Sequence, residues 1–160
     1  MSQRGNYKRR IYCYLFSVMF RHLKQKEIMI IDDNVSELRL FEEAFKETHL
    51  NFVLKKFTDA KDALNYFVIH AKEIFMIISD ISMPGMTGPE LLDTINQNHE
   101  LKMEAVPFIF FSNSNNQKDI LNAYSLAAQG YFQKPMELNE SVDLFKSLID
   151  YWSRARIPNG

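Results

Sequence analysis

Apolar residues in this chain gather in short dense runs, and most of the runs stop at a polar or ionisable residue. Glu27-Ile28-Met29-Ile30-Ile31 stops at Asp32-Asp33, and Phe75-Met76-Ile77-Ile78 stops at Ser79-Asp80. Val106 to Phe111 stops at Ser112, and Gly130-Tyr131-Phe132-Gln133 stops at Lys134-Pro135. Runs this short and this uniformly apolar predict strands buried on both faces, as in parallel sheets. Phe52 to Phe57 reads as a further strand. Between the strands the apolar spacing becomes helical: Leu38, Phe41, Ala44 and Phe45, then Ala60, Ala63, Leu64, Phe67 and Val68. Asn34 or Ser36 can cap the first of these helices and Thr58 or Asp59 the second. Pro89 suits the first turn of a helix reaching about Asn98. The polar loop from Asn113 to Gln117 feeds a helix to about Ala128, and the last helix spans about Leu138 to Tyr151. Val142, Phe145, Leu148, Ile149 and Trp152 form its apolar stripe.

Five strands alternating with five helices predict an α/β fold with right-handed crossovers. The expected architecture is a five-stranded parallel doubly wound sheet in the flavodoxin-like order 2-1-3-4-5. The chain has 160 residues, 46% of them apolar, enough for one domain with a proper core. The formal charge of −1 lacks the basic footprint of a nucleic-acid binder. A lone Cys13 excludes an intramolecular disulfide framework and a multi-thiolate metal site, so a reducing, cytoplasmic setting is expected.

Residues 1–25 are expected to be an N-terminal extension, 26–153 the domain, and 154–160 a tail. The 26 residues after Lys134 suffice for one helix and a tail, and no output domain is expected there. Arg4, Lys8, Arg9 and Arg10 precede the run Ile11 to Phe20, which is shorter than the ~20 residues a membrane span needs. No small-residue cleavage site follows it. The extension can be read as an amphipathic element packing on the domain or on a second copy. It can also be a disordered or artificial leader with a natural start at Met19, or a membrane-surface anchor.

In a parallel sheet the groups at strand ends share one edge, and in open α/β folds reactive groups collect there. Asp32, Asp33, Asp80, Ser112 and Lys134 would therefore converge. Three carboxylates in one pocket raise a pKa or recruit a cation. A hard divalent ion with oxygen ligands, Mg²⁺ above all, resolves that conflict. Together the ion, the lysine and the hydroxyl would hold the oxygens of a phosphoryl group while the Asp80 carboxylate attacks it.

These residues, with the loop Met83-Pro84-Gly85-Met86-Thr87-Gly88, carry a resemblance to the receiver domain of two-component response regulators, single-domain and chemotaxis-regulator-like, over about Lys26 to Trp152. The resemblance implies a phosphoprotein with Asp80 as phosphorylation site. It implies Mg²⁺ held by Asp33, Asp80 and the Ser82 carbonyl directly and by Asp32 through water. Ser112 and Lys134 would contact the phosphoryl group, and Tyr131 would respond to movement of Ser112. The implied phosphodonor is a histidine kinase or phosphotransfer protein in a phosphorelay. The downstream protein target is unspecified, and a homodimer is an alternative readout. The chain itself is then no enzyme beyond assisting its own phosphorylation and dephosphorylation. It departs from the family at Asn113, where a smaller residue is usual and where an amide could narrow access to Asp80. The uncharged stretch Ser114-Asn115-Asn116-Gln117 is a second departure.

Each residue has a plainer reading. Asp32 and Asp33 could cap a helix, Ser112 could be a turn residue, Lys134 a solvated lysine and Tyr131 a core aromatic. The whole protein could be a phosphorylation-independent docking module. An aspartyl-nucleophile phosphohydrolase is a further alternative, but the general acid it needs two residues after the nucleophile is here Ser82, which cannot protonate a leaving group effectively.

Overall fold

The computed structural model describes residues 25–156, so the extension is outside the described residues apart from Gln25, as are 157–160 of the tail. Five strands, β1 (Glu27–Ile31), β2 (Val53–Phe57), β3 (Ile74–Ser79), β4 (Phe108–Ser112) and β5 (Gly130–Gln133), form one parallel sheet in the order β2-β1-β3-β4-β5. The strand order expected from the sequence is thus the observed one.

The strands at the centre of the sheet send alternate residues into two separate cores. Met29, Ile31, Ile77, Phe108 and Phe110 pack on one face against α2 (Ala60–His70), α3 (Gly88–Gln97) and Ala123 of α5 (Gln117–Ser125). Ile28, Ile30, Met76, Ile78, Ile109 and Phe111 pack on the other against α1 (Val35–Glu47) and α6 (Leu138–Arg154). Both faces are dry, which is why these strands read as continuous apolar runs rather than alternating ones. Phe41, Phe45 and Phe145 meet edge to face across α1 and α6, with ring centroids 6.0 Å apart in each pair.

Asn34 caps α1, its side-chain oxygen accepting the N–H groups of Ser36 and Glu37, and Asp59 caps α2. Thr87 and Glu90 form a reciprocal capping box at α3, with Pro89 in the first turn. One element is additional to those expected from the sequence: Asn98 ends α3 and immediately caps a short helix, α4 (His99–Met103). No helix among the described residues is long and apolar enough to cross a membrane.

Candidate functional site

The sheet ladder continues one residue past β1, β3 and β5, and this fixes the site. Asp32 N–H donates to Phe57 O at 3.0 Å, Asp80 N–H to Ile31 O at 2.8 Å, and Lys134 N–H to Ser112 O at 2.9 Å. The backbone of each residue is therefore locked to a neighbouring strand before its side chain does anything. Because Asn34 supplies the cap of α1, neither Asp32 nor Asp33 is needed for that purpose. Asp32 is buried and Asp33, next in the chain, is exposed.

Lys134 follows β5, yet its four-carbon stem carries the ammonium across the ends of β4 and β3. Its Nζ lies 2.7 Å from Asp32 Oδ2, 2.9 Å from Asp80 Oδ1 and 2.5 Å from Glu37 Oε2. Three carboxylates thus surround one ammonium as ion pairs, and the buried Glu37 Oε2 meets it by charge, without a hydrogen-bond partner. Lys134 is buried, which by itself lowers an amine's pKa, but the contacts to Asp32, Glu37 and Asp80 outweigh burial and raise it. Burial drives the Asp32 carboxyl up to about 6, against the opposing pull of Lys134 and of the Asn34 N–H it accepts. Burial also pulls Glu37 upward, but Lys134 more than offsets it and leaves that carboxyl below its ordinary value.

The carboxylates of Asp32, Asp33 and Asp80 each offer an oxygen, and these oxygens lie within 4.8 Å of one another. Asp80 Oδ2 also accepts the N–H of Ser82 at 3.0 Å, which draws the following loop around the same carboxylate. An all-oxygen donor set of three carboxylates around a partly buried point fits a hard divalent cation. Gly88 closes the loop: its N–H donates to Ile81 O, and a Cβ on it would lie 2.1 Å from Asp80 O. Only glycine permits that approach.

The expected side chains thus fall into two groups, and the Ser82 backbone is tied to the first of them through Asp80 Oδ2. Asp32, Asp33, Asp80 and Lys134 share one cluster. Ser112 and Tyr131 belong to an adjoining loop network with Ser114 at its centre. Ser112 Oγ accepts the Ser114 N–H at 3.0 Å, Tyr131 Oη donates to Ser114 O at 2.8 Å, and Ser114 Oγ donates to Asp119 Oδ2 at 2.8 Å. Ser112 joins the cluster through its backbone, by its carbonyl bond to Lys134.

Sequence reasoning passed over Glu37. It sits in the first turn of α1, one helical turn beyond Asp33, and that spacing was the available signal. Its Oε1 takes weak contacts from Asn34 Nδ2 at 3.3 Å and Asn113 Nδ2 at 3.4 Å. Asn113 is exposed and meets the cluster through Glu37.

Comparison with known proteins places these observations. A family model described as the response regulator receiver domain matches residues 28–146. The response regulator Rcp1 of Synechocystis sp. is 24% identical over 132 residues, covering 79% of this chain and 88% of its own. The two-component response regulator ARR17 of Arabidopsis thaliana is 28% identical over 140 residues, covering 79% of this chain and 87% of its own. Among solved structures, the phosphorylated cyanobacterial phytochrome response regulator RcpA superposes with a TM-score of 0.73 at 26% identity, covering 84% of this chain and 99% of that one.

Proposed function

The chain belongs to the response regulator receiver domain family, and from that premise we propose that it is a signalling phosphoacceptor charged on Asp80. A histidine kinase or phosphotransfer protein presents a phosphohistidine. One oxygen of the Asp80 carboxylate attacks phosphorus as the P–N bond breaks, its electron pair returning to the imidazole nitrogen, and an acyl phosphate results. The observation that carries this reading is the ammonium of Lys134 held 2.9 Å from Asp80 Oδ1 beside three clustered carboxylates. RcpA, a similar protein, has been crystallised in phosphorylated form.

Asp33, Asp80 and the Ser82 carbonyl would hold Mg²⁺, with Asp32 acting through water. The ion supplies neutralisation of the phosphoryl oxygens during transfer. Lys134 orients one phosphoryl oxygen, and Ser112 supplies a hydroxyl to another once its loop moves. That movement pulls on Ser114, and through it on Tyr131 and α5. The phosphorylated form then favours one of two arrangements of the surface made by α5, β5 and α6, which a target protein or a second copy reads.

The test is intact mass after incubation with Mg²⁺ and acetyl phosphate. One phosphoryl adduct is expected on the wild type, with none on Asp80→Asn and none after EDTA treatment. An adduct surviving in Asp80→Asn would remove Asp80 from its assigned role. Catalytic turnover of a generic phosphate ester would favour the hydrolase instead.

A further inference from the structure

We propose that Glu37 is a built-in stand-in for the phosphoryl group: it occupies Lys134 in the uncharged protein and must leave when Asp80 is phosphorylated. The inference rests on the phosphoacceptor reading above and adds a residue to it.

Three carboxylate oxygens crowd the Lys134 ammonium, at 2.7, 2.5 and 2.9 Å, so a phosphoryl oxygen can pair with it only where one of them gives way. Asp80 carries the incoming group and cannot be the one to go. Asp32 is held on both sides: its backbone is in the ladder with Phe57, its Oδ1 accepts the Asn34 N–H at 2.9 Å, and its side chain is 2% exposed. Glu37 differs in every respect. It stands on a longer side chain on a helix surface and is 24% exposed, so water can receive it. Its other oxygen has only the long contacts from Asn34 and Asn113. Departure of Glu37 therefore breaks one ion pair and frees an oxygen that has no hydrogen-bond partner, while departure of Asp32 would strand a buried charge.

The exchange is also favoured by charge. A phosphoryl group on Asp80 brings additional negative charge to a cluster that already holds Asp32, Asp33 and Glu37, so Glu37 is repelled as its cation is taken. When the group is lost, Glu37 returns to Lys134 and restores the resting state. Asn113, which touches Glu37, is placed to steady it in either position.

A neutral residue at position 37 should therefore ease charging. With Mg²⁺ and acetyl phosphate, Glu37→Gln and Glu37→Ala should both reach a higher phosphorylated fraction than the wild type. The rate constant should rise about three- to tenfold, the scale of one screened unit charge at the edge of a buried cluster. Fluoroberyllate, a non-covalent mimic of the phosphoryl group, should bind both variants more tightly by a similar factor in calorimetry. A residue that merely supported α1 would move the melting temperature and neither of these readouts. If the wild type is charged on Asp80 and Glu37→Gln is equal or slower, the inference about Glu37 fails while the phosphoacceptor reading stands. A rise in Glu37→Ala without one in Glu37→Gln also overturns it, since charge would not be the cause. If neither the wild type nor Glu37→Gln takes up phosphoryl, both readings fall. Uptake by Glu37→Gln alone would support both.

Discussion

A β-carbon on Gly88 would lie 2.1 Å from the carbonyl oxygen of Asp80 and 2.8 Å from the ring of Phe110. The first residue of α3 is thus pressed against the backbone of the residue at the centre of the site. Ser79 Oγ donates to the same carbonyl at 2.8 Å, so that oxygen is held between a hydroxyl and a helix start.

Gly88→Ala should therefore disturb stability and site together. Neither the Asp80 carbonyl nor the sheet beneath it can yield far, and overpacking of this kind costs about 1–3 kcal/mol. Urea unfolding should place the variant at the upper end of that range, and its acetyl phosphate uptake should fall. A variant as stable as the wild type would mean that α3 can retreat freely from Asp80.

Lys134→Met tests what the ammonium does for the resting protein. It leaves Asp32, Glu37 and Asp80 around an apolar side chain, and removing one partner from a buried charge cluster costs about 3–5 kcal/mol. In EDTA the variant should be destabilised on that scale. Mg²⁺ should recover more stability for the variant than for the wild type, because the ion then replaces the lost Lys134 ammonium. Equal stability of variant and wild type in EDTA would show that the carboxylates do not depend on Lys134.

The edge of the sheet was legible because each central strand is dry on both sides and ends where a polar residue must leave the core. Asp32 and Asp80 could be set side by side from that rule. Lys134 follows the partly buried edge strand β5 and joins them because the strand ends of a parallel sheet share one edge. Glu37 could not be set there, because it is a partly exposed residue in the first turn of α1, and an acidic residue there reads from sequence as an ordinary helix-start charge. The short α4 escaped notice for a different reason. Five residues are too few for a helical period, and Asn98 serves both as the end of one helix and the cap of the next. The polarity of Asn113 was evident, but its contact is to Glu37 at 3.4 Å, a neighbour that the sequence reading had not brought to the site.

The raised carboxyl of Asp32 gives a pH signature. Its folded value of about 6 lies above the ordinary 3.8, so the folded protein binds the extra proton between those limits. The contribution to stability is complete below about pH 4 and is lost as pH rises through about 6, an effect on the order of 3 kcal/mol. Glu37, held below its ordinary value, has the opposite sign, and its contribution is lost only at lower pH. In metal-free buffer, wild-type stability relative to Asp32→Asn should therefore decline from pH 4 to pH 6. Mg²⁺ should shift the decline downward, since the ion favours the ionised form. A stability difference flat across that window would contradict the burial-driven shift.

Tyr131→Phe isolates the link between the sheet and the loop above it. The ring packs partly into the core on the α2 side, so phenylalanine keeps the apolar contact and loses only the bond to Ser114 O. Loss of one such bond costs about 1 kcal/mol. The informative readout is local: the Ser114 N–H is bonded to Ser112 Oγ, and the Ser114 carbonyl to Tyr131 Oη. Release of the carbonyl should loosen the residue from both sides, and its amide should exchange with solvent faster than in the wild type. The amides of β4 should be unaffected. If phosphorylation works through this connection, the variant should also bind a target with less difference between charged and uncharged forms. Unaltered exchange at Ser114 would mean that Ser112 and Tyr131 move independently, and the path from Asp80 to α5 would have to run elsewhere.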